Sequence, residues 1–278
     1  MTEPRTDPHL GTVVHIVESR QGRPNLPSDG CPFCPGGLEA PEPYDVKSFP
    51  NRWPALGEGN CEVVLYSPRH DAAFHELGAG GVRRVIDLWA ERTTALLARP
   101  GTEYVMVFEN RGAEVGATIA HPHGQIYAFD HTPARIARIF SSEWAPDDAP
   151  ERLVSANEHF VAHTVFAPVF PVSVSVAPRT RVGRLAALDD TQRSSLAATL
   201  VEVLRALDRL FDAPLPYMLW VNQAPAHDTG TEWLNIEIVS PWRAKGVPRY
   251  IAAAEVAGGE YFNPVNPEEL AARLRGMH

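Results

Sequence analysis

One succession of predicted elements occurs twice in this chain, and this repeat restricts the folds available to it. Each copy contains, in order, a strand, a Pro-Arg turn, a helix, a strand, a loop and a strand. The helices are recognised by apolar residues about every 3.6 positions, and the strands by alternating or continuously apolar residues. The predicted strands and helices cover residues 62–66, 82–97, 104–109 and 116–127 in the first copy and 172–176, 191–211, 217–222 and 233–240 in the second. We predict an internal duplication of one α+β unit.

A charged stretch that contains prolines separates the two copies. Residues 130–158 include Asp147 and Glu151 and predict an irregular connector. The chain has 278 residues, which is enough for one large domain or two of ordinary size. We therefore place a boundary inside this stretch and divide the chain into residues 1–150 and 151–278.

The last segment of the first copy, residues 116–127, carries two histidines and a glutamine. Read as a strand, it places His121, His123 and Gln125 on one face, because side chains along a strand alternate. Pro122 cannot donate a hydrogen bond to a neighbouring strand, so it marks a strand start or an edge. Taken alone, the motif is also compatible with a surface strand that carries two solvated histidines.

The two copies differ where chemistry could take place. His70 follows the Pro-Arg turn of the first copy, whereas Thr180 follows the turn of the second. The His-Pro-His-Gly-Gln segment of the first copy corresponds to Leu-Asn-Ile-Glu at residues 234–237. We therefore assign the chemistry to the first copy, and we interpret the second as a scaffold or as the opposite wall of the site.

Two of the three cysteines form the turn Cys31-Pro32-Phe33-Cys34, which could be a metal half-site, a redox pair or two buried thiols. No thioredoxin-like setting surrounds it, so the redox pair is the least favoured. A tetrahedral zinc site needs two more ligands, and histidines must supply them because the chain has no second Cys-x-x-Cys. A closed set of the correct size would consist of Cys31, Cys34, His70 and His121.

With His121 used as a ligand, His123 is left for chemistry. A neutral imidazole can attack phosphorus and form a covalent nucleotide intermediate, which splits one transfer into two easier displacements. The amide of Gln125 can donate a hydrogen bond to the charge that grows on the phosphoryl oxygens. These residue types predict a nucleotidyl transfer site.

Two arginines near the start of the chain could bind phosphate. Arg20 and Arg23 lie three residues apart in a polar arm that is rich in proline, glycine and arginine. A guanidinium matches phosphate oxygens bidentately, so both side chains, with backbone amides near Gly116 to Thr118, could hold the rest of a diphosphate. The alternative is a solvated loop, which is the usual environment of such charges.

The composition excludes several classes of partner. The net charge is −9 and the pI about 5.7, which argues against general nucleic-acid binding because that function needs a basic face. The longest uncharged apolar-rich run, residues 165–178, is too short to span a membrane. Three cysteines are too few for a disulfide framework, and the first residues lack the layout of a signal peptide. We expect a cytoplasmic protein with reduced thiols.

Several segments together resemble the galactose-1-phosphate uridylyltransferases of the histidine-triad superfamily. They are Phe108-Glu109-Asn110-Arg111-Gly112, then Gly116 with His121-Pro122-His123-Gly124-Gln125, Cys31-Pro32-Phe33-Cys34-Pro35-Gly36, Ser67-Pro68-Arg69-His70, and Arg20 with Arg23 and Pro24. The resemblance covers about residues 13–260. The combination is much more specific than any one of these short motifs.

The resemblance implies an α+β fold of two tandem histidine-triad-like halves, each an antiparallel sheet with packed helices, that form one compact unit. Residues 1–150 would be the N-terminal half with the zinc site and the catalytic motif, and residues 151–278 the C-terminal half without that motif. It further implies a structural zinc ion and a homodimer. The implied fold agrees with the duplication predicted from the pattern of elements.

The resemblance also implies a reaction. The family transfers a uridylyl group by a ping-pong mechanism: the second histidine of His-Pro-His, here His123, takes the group from UDP-glucose, releases glucose 1-phosphate and passes the group to galactose 1-phosphate. His123 and Gln125 are therefore the expected catalytic residues, and UDP-hexose and hexose 1-phosphate are the expected partners. The first histidine, here His121, would be one of the zinc ligands.

Further residues match positions that bind substrate in the family. They are Arg20, Arg23, Asn51, Asn110, Gly116, Thr118, Gln125, Arg249, Tyr250 and Glu255. The chain departs from the family at Ala254, which replaces an aromatic residue, so the preference for base and sugar stays open. It departs again at a second, structural iron site of the best-known members, and we predict no iron. In place of three histidines and a glutamate it has Ile139, Asn222, Asn235 and Glu237.

Two other functions are compatible with these residues. The same histidine could serve an ADP-sugar or dinucleoside polyphosphate phosphorylase, whose His-Pro-His segment is also similar. The chain could instead be a non-catalytic, zinc-stapled nucleotide-binding module in which His123 is incidental. Because Arg20, Arg23, Asn110 and Gln125 occur together with His123, an enzyme is favoured.

Overall fold

The two copies of the predicted succession lie side by side in one sheet. The computed structural model describes residues 3–22 and 30–277. Its strands are β1 (Glu3–Thr6), β2 (Val13–Ile16), β3 (Lys47–Pro50), β4 (Cys61–Leu65), β5 (Tyr104–Arg111), β6 (His123–Phe129), β7 (Leu153–Ala156), β8 (Phe160–Thr164), β9 (Val172–Pro178), β10 (Tyr217–Asn222), β11 (Asn235–Ser240), β12 (Trp242–Ala244) and β13 (Val247–Pro248). Its helices are α1 (Gly78–Leu97), α2 (Ala134–Ser141), α3 (Asp190–Arg209), α4 (Ala253–Gly258) and α5 (Pro267–Arg275).

The large sheet contains nine strands in the order β3-β4-β6-β5-β10-β11-β9-β8-β7, each antiparallel to its neighbours. The central pair, β5 and β10, joins the two copies and places Phe108 opposite Trp220. Outward from this pair, the order β5-β6-β4 is mirrored by β10-β11-β9. The predicted fold class, α+β with an antiparallel sheet and packed helices, is confirmed.

Helices α1 and α3 cover one face of this sheet and form the core with it. Val107 and Val221 point toward the helices and are fully buried, as is Trp89 of α1. Their neighbours Phe108 and Trp220 point to the opposite face and are only half-buried, because side chains along a strand alternate. Each fully buried apolar side chain contributes roughly 1.5–3 kcal/mol to folding, so the helix-covered face holds the sheet together.

Strand β6 carries the histidine motif on the uncovered face. Gln125 lies opposite Phe108 of β5, so it shares the half-buried face with that residue, and His123 lies two residues before it. The strand begins at His123, later than residue 116, where the pattern suggested. Pro122 directly precedes it and lacks an N–H to donate, which confirms that this proline marks a strand start. Residues 116–122 form a turn and irregular backbone instead.

The two long helices match their predicted positions to within a few residues. The start of α3 is explained by a capping box, in which the carboxylate of Asp189 accepts from the backbone N–H of Gln192 at 2.8 Å. The side-chain oxygen of Gln192 accepts in return from the backbone N–H of Asp189 at 3.0 Å. These two bonds satisfy donors that would otherwise be exposed at the helix end.

The stretch between the two copies is more regular than its charges suggest. It contains α2, which buries Ile136, and the short strand β7, which pairs with β8 at the edge of the sheet. Both elements are short and bury few side chains, so their periodic signal is weak. The division of the chain near residue 150 stays a prediction, because the strands on either side belong to one sheet.

A helix that spans a membrane must be both long and apolar. In residues 3–22 and 30–277, no helix is both long enough and apolar enough to cross a bilayer.

Candidate active site and metal centre

Four side chains from separate segments of the first copy converge on one point. Cys31 and Cys34 lie in a loop before β3, His70 follows the turn after β4, and His121 comes just before β6. The sulfur of Cys31 lies 3.7 Å from Nδ1 of His121, and the sulfur of Cys34 lies 3.6 Å from Nδ1 of both histidines. All four ligand atoms lie within 4.8 Å of one another, so the predicted set could hold a metal ion.

The cysteine loop closes tightly because residue 37 is a glycine. The N–H of Gly37 donates to the carbonyl oxygen of Cys34 at 2.8 Å. A Cβ atom at this position would lie 2.6 Å from the carbonyl oxygen of Cys31 and 2.8 Å from that of Cys34. Any other residue would therefore push the two cysteines apart.

His121 is held in the tautomer that a metal ligand needs. Its Nε2 lies 2.7 Å from the carbonyl oxygen of Ser67 and 2.9 Å from the hydroxyl of Tyr44. Because a carbonyl oxygen only accepts, Nε2 carries the hydrogen and the lone pair on Nδ1 faces the two sulfurs. Burial lowers the pKa of His121, so the imidazole is neutral.

The environment of the Cys34 thiol disfavours its negative charge. Desolvation, followed by the neighbouring Cys31, raises the pKa of Cys34 above its ordinary value. Burial, followed by the charges of Cys34 and Cys31, raises the pKa of Tyr44 as well. A bound cation reverses this effect, because it stabilises coordinated thiolates directly.

His123 is oriented by its own backbone neighbour and by an aromatic ring. Its Nδ1 lies 2.8 Å from the carbonyl oxygen of His121, so Nδ1 carries the hydrogen and Nε2 the lone pair. The ring of Phe33 lies 5.0 Å from the His123 ring, centroid to centroid. The imidazole is therefore fixed both in tautomer and in direction.

The side chain of Gln125 is oriented by Asn51. The Nδ2 group of Asn51 donates to Oε1 of Gln125 at 3.1 Å, while Oδ1 of Asn51 accepts from the backbone N–H of Trp53 at 2.8 Å. Since Oε1 of Gln125 is the acceptor of this bond, its NH₂ group is available to donate elsewhere. The arrangement is suited to a ligand that carries negative oxygen atoms.

A small cavity of about 50 Å³ lies beside the histidine motif. Predicted residues His121, His123 and Asn110 line it, together with Gly112 and Glu109. Asn110 is at the end of β5, next to the start of β6, so the two strands that the sheet pairs supply opposite walls. The structure thus brings Asn110 and His123 together.

The structure gives less detail on the two N-terminal arginines of the predicted site. The charge of Arg20 lowers the pKa of Cys61, although burial raises it overall, so Arg20 lies near the start of β4. Arg23 lies outside the described residues. Gly116 closes a turn with φ 87°, and Thr118 is half-buried in the segment that leads to His121.

The C-terminal residues of the predicted site form a cluster of their own. The guanidinium of Arg249 pairs with the carboxylate of Glu255, and both side chains are buried. Nε of Arg249 also donates to the carbonyl oxygen of Phe262 at 3.1 Å. Tyr250 is 81% exposed.

The positions that correspond to the family's iron site form a hydrogen-bonded group. Nδ2 of Asn222 donates to Oδ1 of Asn235 at 2.7 Å and to Oε1 of Glu237 at 2.8 Å. Arg135 of α2 donates to both carboxylate oxygens of Glu237 at 3.0 Å. Ile139, one helical turn after Arg135, lines a neighbouring cavity and offers no ligand atom.

Sequence reasoning missed several residues of this site. The sequence did contain a signal for Phe33, since an aromatic residue between the two cysteines of a predicted metal site must lie near that site. The sequence also contained a signal for Glu109, because a single acidic residue inside an apolar strand is unusual. It contained none for Tyr44, because its contact with His121 depends on how the loop before β3 folds back.

Known proteins match the chain along most of its length. The model for the N-terminal domain of galactose-1-phosphate uridyl transferase matches residues 51–133, and that for its C-terminal domain matches residues 119–256. The galactose-1-phosphate uridylyltransferase of Thermotoga maritima is 33% identical over 312 residues, which cover 99% of this chain and 98% of that protein. The Streptomyces lividans enzyme of the same name is 36% identical over 306 residues, which cover 99% of this chain and 86% of that protein.

A solved uridylyltransferase structure has the same fold. It superposes with a TM-score of 0.92 at 28% sequence identity and covers 100% of this chain and 98% of its own. The resemblance inferred from the motifs is confirmed by these matches. The chain belongs to the galactose-1-phosphate uridyl transferase family, whose members are enzymes.

Proposed function

We propose that this chain is a UDP-glucose:hexose-1-phosphate uridylyltransferase that works in two steps through a uridylyl group bound to His123. Membership of the family supports the transfer of a uridylyl group. The choice of His123 as the nucleophile rests on one contact. The Nδ1–H group of His123 donates to the carbonyl oxygen of His121 at 2.8 Å. Because this bond selects the tautomer, Nε2 has the lone pair that a nucleophile needs.

In the first step, Nε2 of His123 attacks the α-phosphorus of the UDP-hexose. An N–P bond forms while the bond from phosphorus to the bridging oxygen breaks, and hexose 1-phosphate leaves with that oxygen and its electron pair. In the second step, a phosphate oxygen of another hexose 1-phosphate attacks the same phosphorus, and the N–P bond breaks. The imidazole is neutral again, and no proton has to be supplied because the leaving group and the acceptor are both phosphates.

Gln125 is the proposed donor to the phosphoryl oxygens. Asn51 holds its Oε1, so its NH₂ group can point at the charge that develops during both displacements. A donor placed in this way has an effect of roughly 10²–10³ on the rate in other enzymes. Asn51 is therefore proposed to act through Gln125 as well as on the nucleotide.

The other predicted residues complete the proposed substrate site. Asn110, Gly116 and Thr118 lie in the segments on either side of the cavity next to His123, where backbone and side-chain donors would meet the diphosphate. Residues proposed to bind the remaining parts of the two substrates are Arg20, Arg23, Arg249, Tyr250 and Glu255.

Zinc is the proposed metal for the four-residue cluster. In a tetrahedral site with Zn–S and Zn–N bonds of normal length, sulfur and nitrogen lie about 3.6 Å apart. The distances from Cys31 to His121 and from Cys34 to both histidines are 3.6 to 3.7 Å. With four protein ligands no position is open to water, so the ion would be structural and would tie the cysteine loop and the turn at His70 to the start of β6.

Further properties follow from the same proposal. The resemblance to the family supports a homodimer that acts on UDP-hexose and hexose 1-phosphate. None of the three cysteines, which all lie in the described residues, is part of a disulfide, and this supports a cytoplasmic location because that compartment keeps thiols reduced.

An adduct experiment tests the function. The purified protein is incubated with UDP-glucose and its intact mass is measured. We expect a gain of one uridylyl group and the release of glucose 1-phosphate, and we expect both to be lost in His123→Gly. The matched control is His227→Gly, because the His227 side chain is 90% exposed and should not affect the reaction.

Competing substrates distinguish the alternatives. If ADP-glucose forms the adduct in preference to UDP-glucose, the chain is an adenylyl-transferring relative and the proposed substrate is wrong. If no nucleoside diphosphate sugar modifies the protein, the covalent mechanism is wrong. Binding of nucleotide without an adduct would identify the chain as a binding module.

A further inference from the structure

A carboxyl group is buried directly behind the strand of the proposed nucleophile. Glu109 lies on β5, points to the helix-covered face and is 4% exposed. Its Oε1 accepts a hydrogen bond of 2.8 Å from the hydroxyl of Tyr217, whereas its Oε2 has no hydrogen-bond partner among the described residues. Burying a carboxyl group is costly, so an apolar residue would serve the fold better at this position.

The surroundings favour the uncharged form of this group. Burial raises the pKa of Glu109 to about 7, against the opposing effect of its hydrogen bond from Tyr217. Burial also raises the pKa of Tyr66 and Tyr217 well above the ordinary value. The nearby cation of Arg111 is already bound to the carboxylate of Asp208 by two hydrogen bonds of 2.7 and 3.0 Å. Glu109 therefore faces two neutral hydroxyls and a cation that has a partner.

The hydroxyl of Tyr66 connects Glu109 to β6. Tyr66 is 2% exposed, and its ring packs against Phe74 with the centroids 4.6 Å apart. Neither this hydroxyl nor Oε2 of Glu109 has a hydrogen-bond partner among the described residues. Glu109 follows Phe108, whose partner across the pair of β5 and β6 is Gln125, so Glu109 lies beside Gly124 on the helix-covered face. The same hydroxyl lies against Gly124, where a Cβ atom would be only 2.1 Å away. Gly124 directly follows His123, the proposed nucleophile.

Glu109 also borders the cavity of the proposed site. It lines the same cavity of about 50 Å³ as His123 and Asn110. Glu109 thus borders the cavity next to His123 on one side and the Tyr66 hydroxyl under Gly124 on the other. No other described acidic residue lines this cavity.

We infer that Glu109 is a positioning residue: its carboxyl group packs beside the Tyr66 hydroxyl under Gly124 and so sets the position of His123 relative to the reacting phosphorus. The inference rests on the proposed uridylyl transfer. Glu109 does not touch the substrate and acts only through Tyr66 and the backbone of β6. A displacement of about 1 Å at a reacting group can lower a rate by roughly 100-fold, so such support matters for catalysis.

Two substitutions at residue 109 separate positioning from stability. Glu109→Leu removes both oxygens at a similar volume, whereas Glu109→Gln keeps an acceptor for Tyr217 and offers an N–H to Tyr66. At saturating UDP-glucose, we expect the leucine variant to form the adduct ~10- to 100-fold more slowly with KM unchanged. We expect the glutamine variant to stay within about threefold of the wild type. A folded leucine variant with the wild-type rate, or with a raised KM and an unchanged rate, would overturn the inference.

A second variant covers the case in which Glu109→Leu does not fold. Tyr66→Phe removes only the hydroxyl and should slow adduct formation to a similar extent. Where it folds, the double variant Glu109→Leu/Tyr66→Phe should be no slower than either single variant, because both substitutions act on one contact. Full activity of Tyr66→Phe would overturn the inference. Failure of the wild type to form any adduct contradicts the proposed function, whereas equal rates in the wild type and all variants contradict only the positioning role.

Discussion

The phenyl ring of Phe33 lies 5.0 Å from the imidazole ring of His123, at an interplanar angle of 60°. Phe33 stands between the two cysteines of the candidate metal-binding loop and is 5% exposed. The ring that flanks the proposed nucleophile is therefore held by the loop that carries two of the four ligands. One side chain links the metal centre to the direction of His123.

Phe33→Leu should slow adduct formation by ~10-fold without loss of metal, because leucine fills the buried space but does not flank the imidazole ring. Stopped reactions with UDP-glucose measure the rate, and elemental analysis measures the metal. Phe49→Leu is the matched control, since Phe49 packs against Phe33 in the same cluster, with the ring centroids 6.0 Å apart. Equal slowing in both variants would show that the effect is one of general packing.

Cys34→Ser should empty the metal centre. Serine is a poor ligand for zinc, so we expect metal content below about half an equivalent per chain and a loss of stability well beyond the ~1 kcal/mol of an average substitution. Elemental analysis and thermal unfolding measure the two effects. Cys61→Ser is the control, because Cys61 is buried but lies outside the cluster, and it should retain the metal. Full metal content in Cys34→Ser contradicts the proposed ligand set.

Asn51→Asp should reverse the polarity of the contact with Gln125. A carboxylate accepts where the amide donated, so the side chain of Gln125 would turn its NH₂ group away from the phosphoryl oxygens. We expect kcat to fall by ~100-fold, which is the usual effect of removing one such donor. The control is Asn60→Asp, because the Asn60 amide donates to the carbonyl oxygen of Leu56 instead. An unchanged kcat in Asn51→Asp means that Gln125 has another support.

Gly124→Ala should destabilise the protein by about 1–3 kcal/mol, because the new methyl group would collide with the hydroxyl of Tyr66 and with the carbonyl oxygen of Phe108. Urea unfolding measures the change. Tyr66→Phe in the same chain should recover part of the loss, since it removes one of the two colliding atoms. Gly80→Ala is the control: a Cβ at Gly80 meets nothing within 4 Å, and alanine should stabilise α1 by up to about 1 kcal/mol.

The buried carboxyl group of Glu109 predicts a change of stability with pH. Its pKa is about 7 in the folded protein, whereas its ordinary value is 4.5. Between these two pH values the folded protein therefore keeps a proton on Glu109 that the unfolded chain has lost. Stability should therefore fall as pH rises from 4.5 to about 7 and should not fall further from this cause above that range. The change amounts to no more than about 3 kcal/mol. Urea unfolding across this range should show it as the difference between the wild type and Glu109→Gln.

Glu109→Gln removes the titrating group, so the unfolding free energy of this variant should lack that component. Other groups titrate in both proteins and cancel in the comparison. Parallel pH profiles for the two proteins would mean that the pKa of Glu109 in the folded state is not raised above its ordinary value.

Local patterns were sufficient for most of the long elements. The apolar spacing from Val82 to Leu97 predicted α1, and the alternation from Val172 to Val176 predicted β9. These signals are strong because a face that packs on a core must repeat with the period of its element. Short elements such as α2 and β7 bury too few residues to show a period, and they were missed.

The sequence by itself determined which residue types belong together: a Cys-x-x-Cys, a histidine after a Pro-Arg turn, and a His-Pro-His-Gly-Gln segment in only one of two copies. Spacing is enough for that, because coordination number and nucleophilic chemistry limit the side chains that can take part. Only the tertiary structure decided how they are oriented. The tautomer of His121 depends on Ser67, the amide of Gln125 depends on Asn51, and Tyr66 meets Gly124 across paired strands. These contacts join residues that are distant along the chain, so they exist only once the strands have paired.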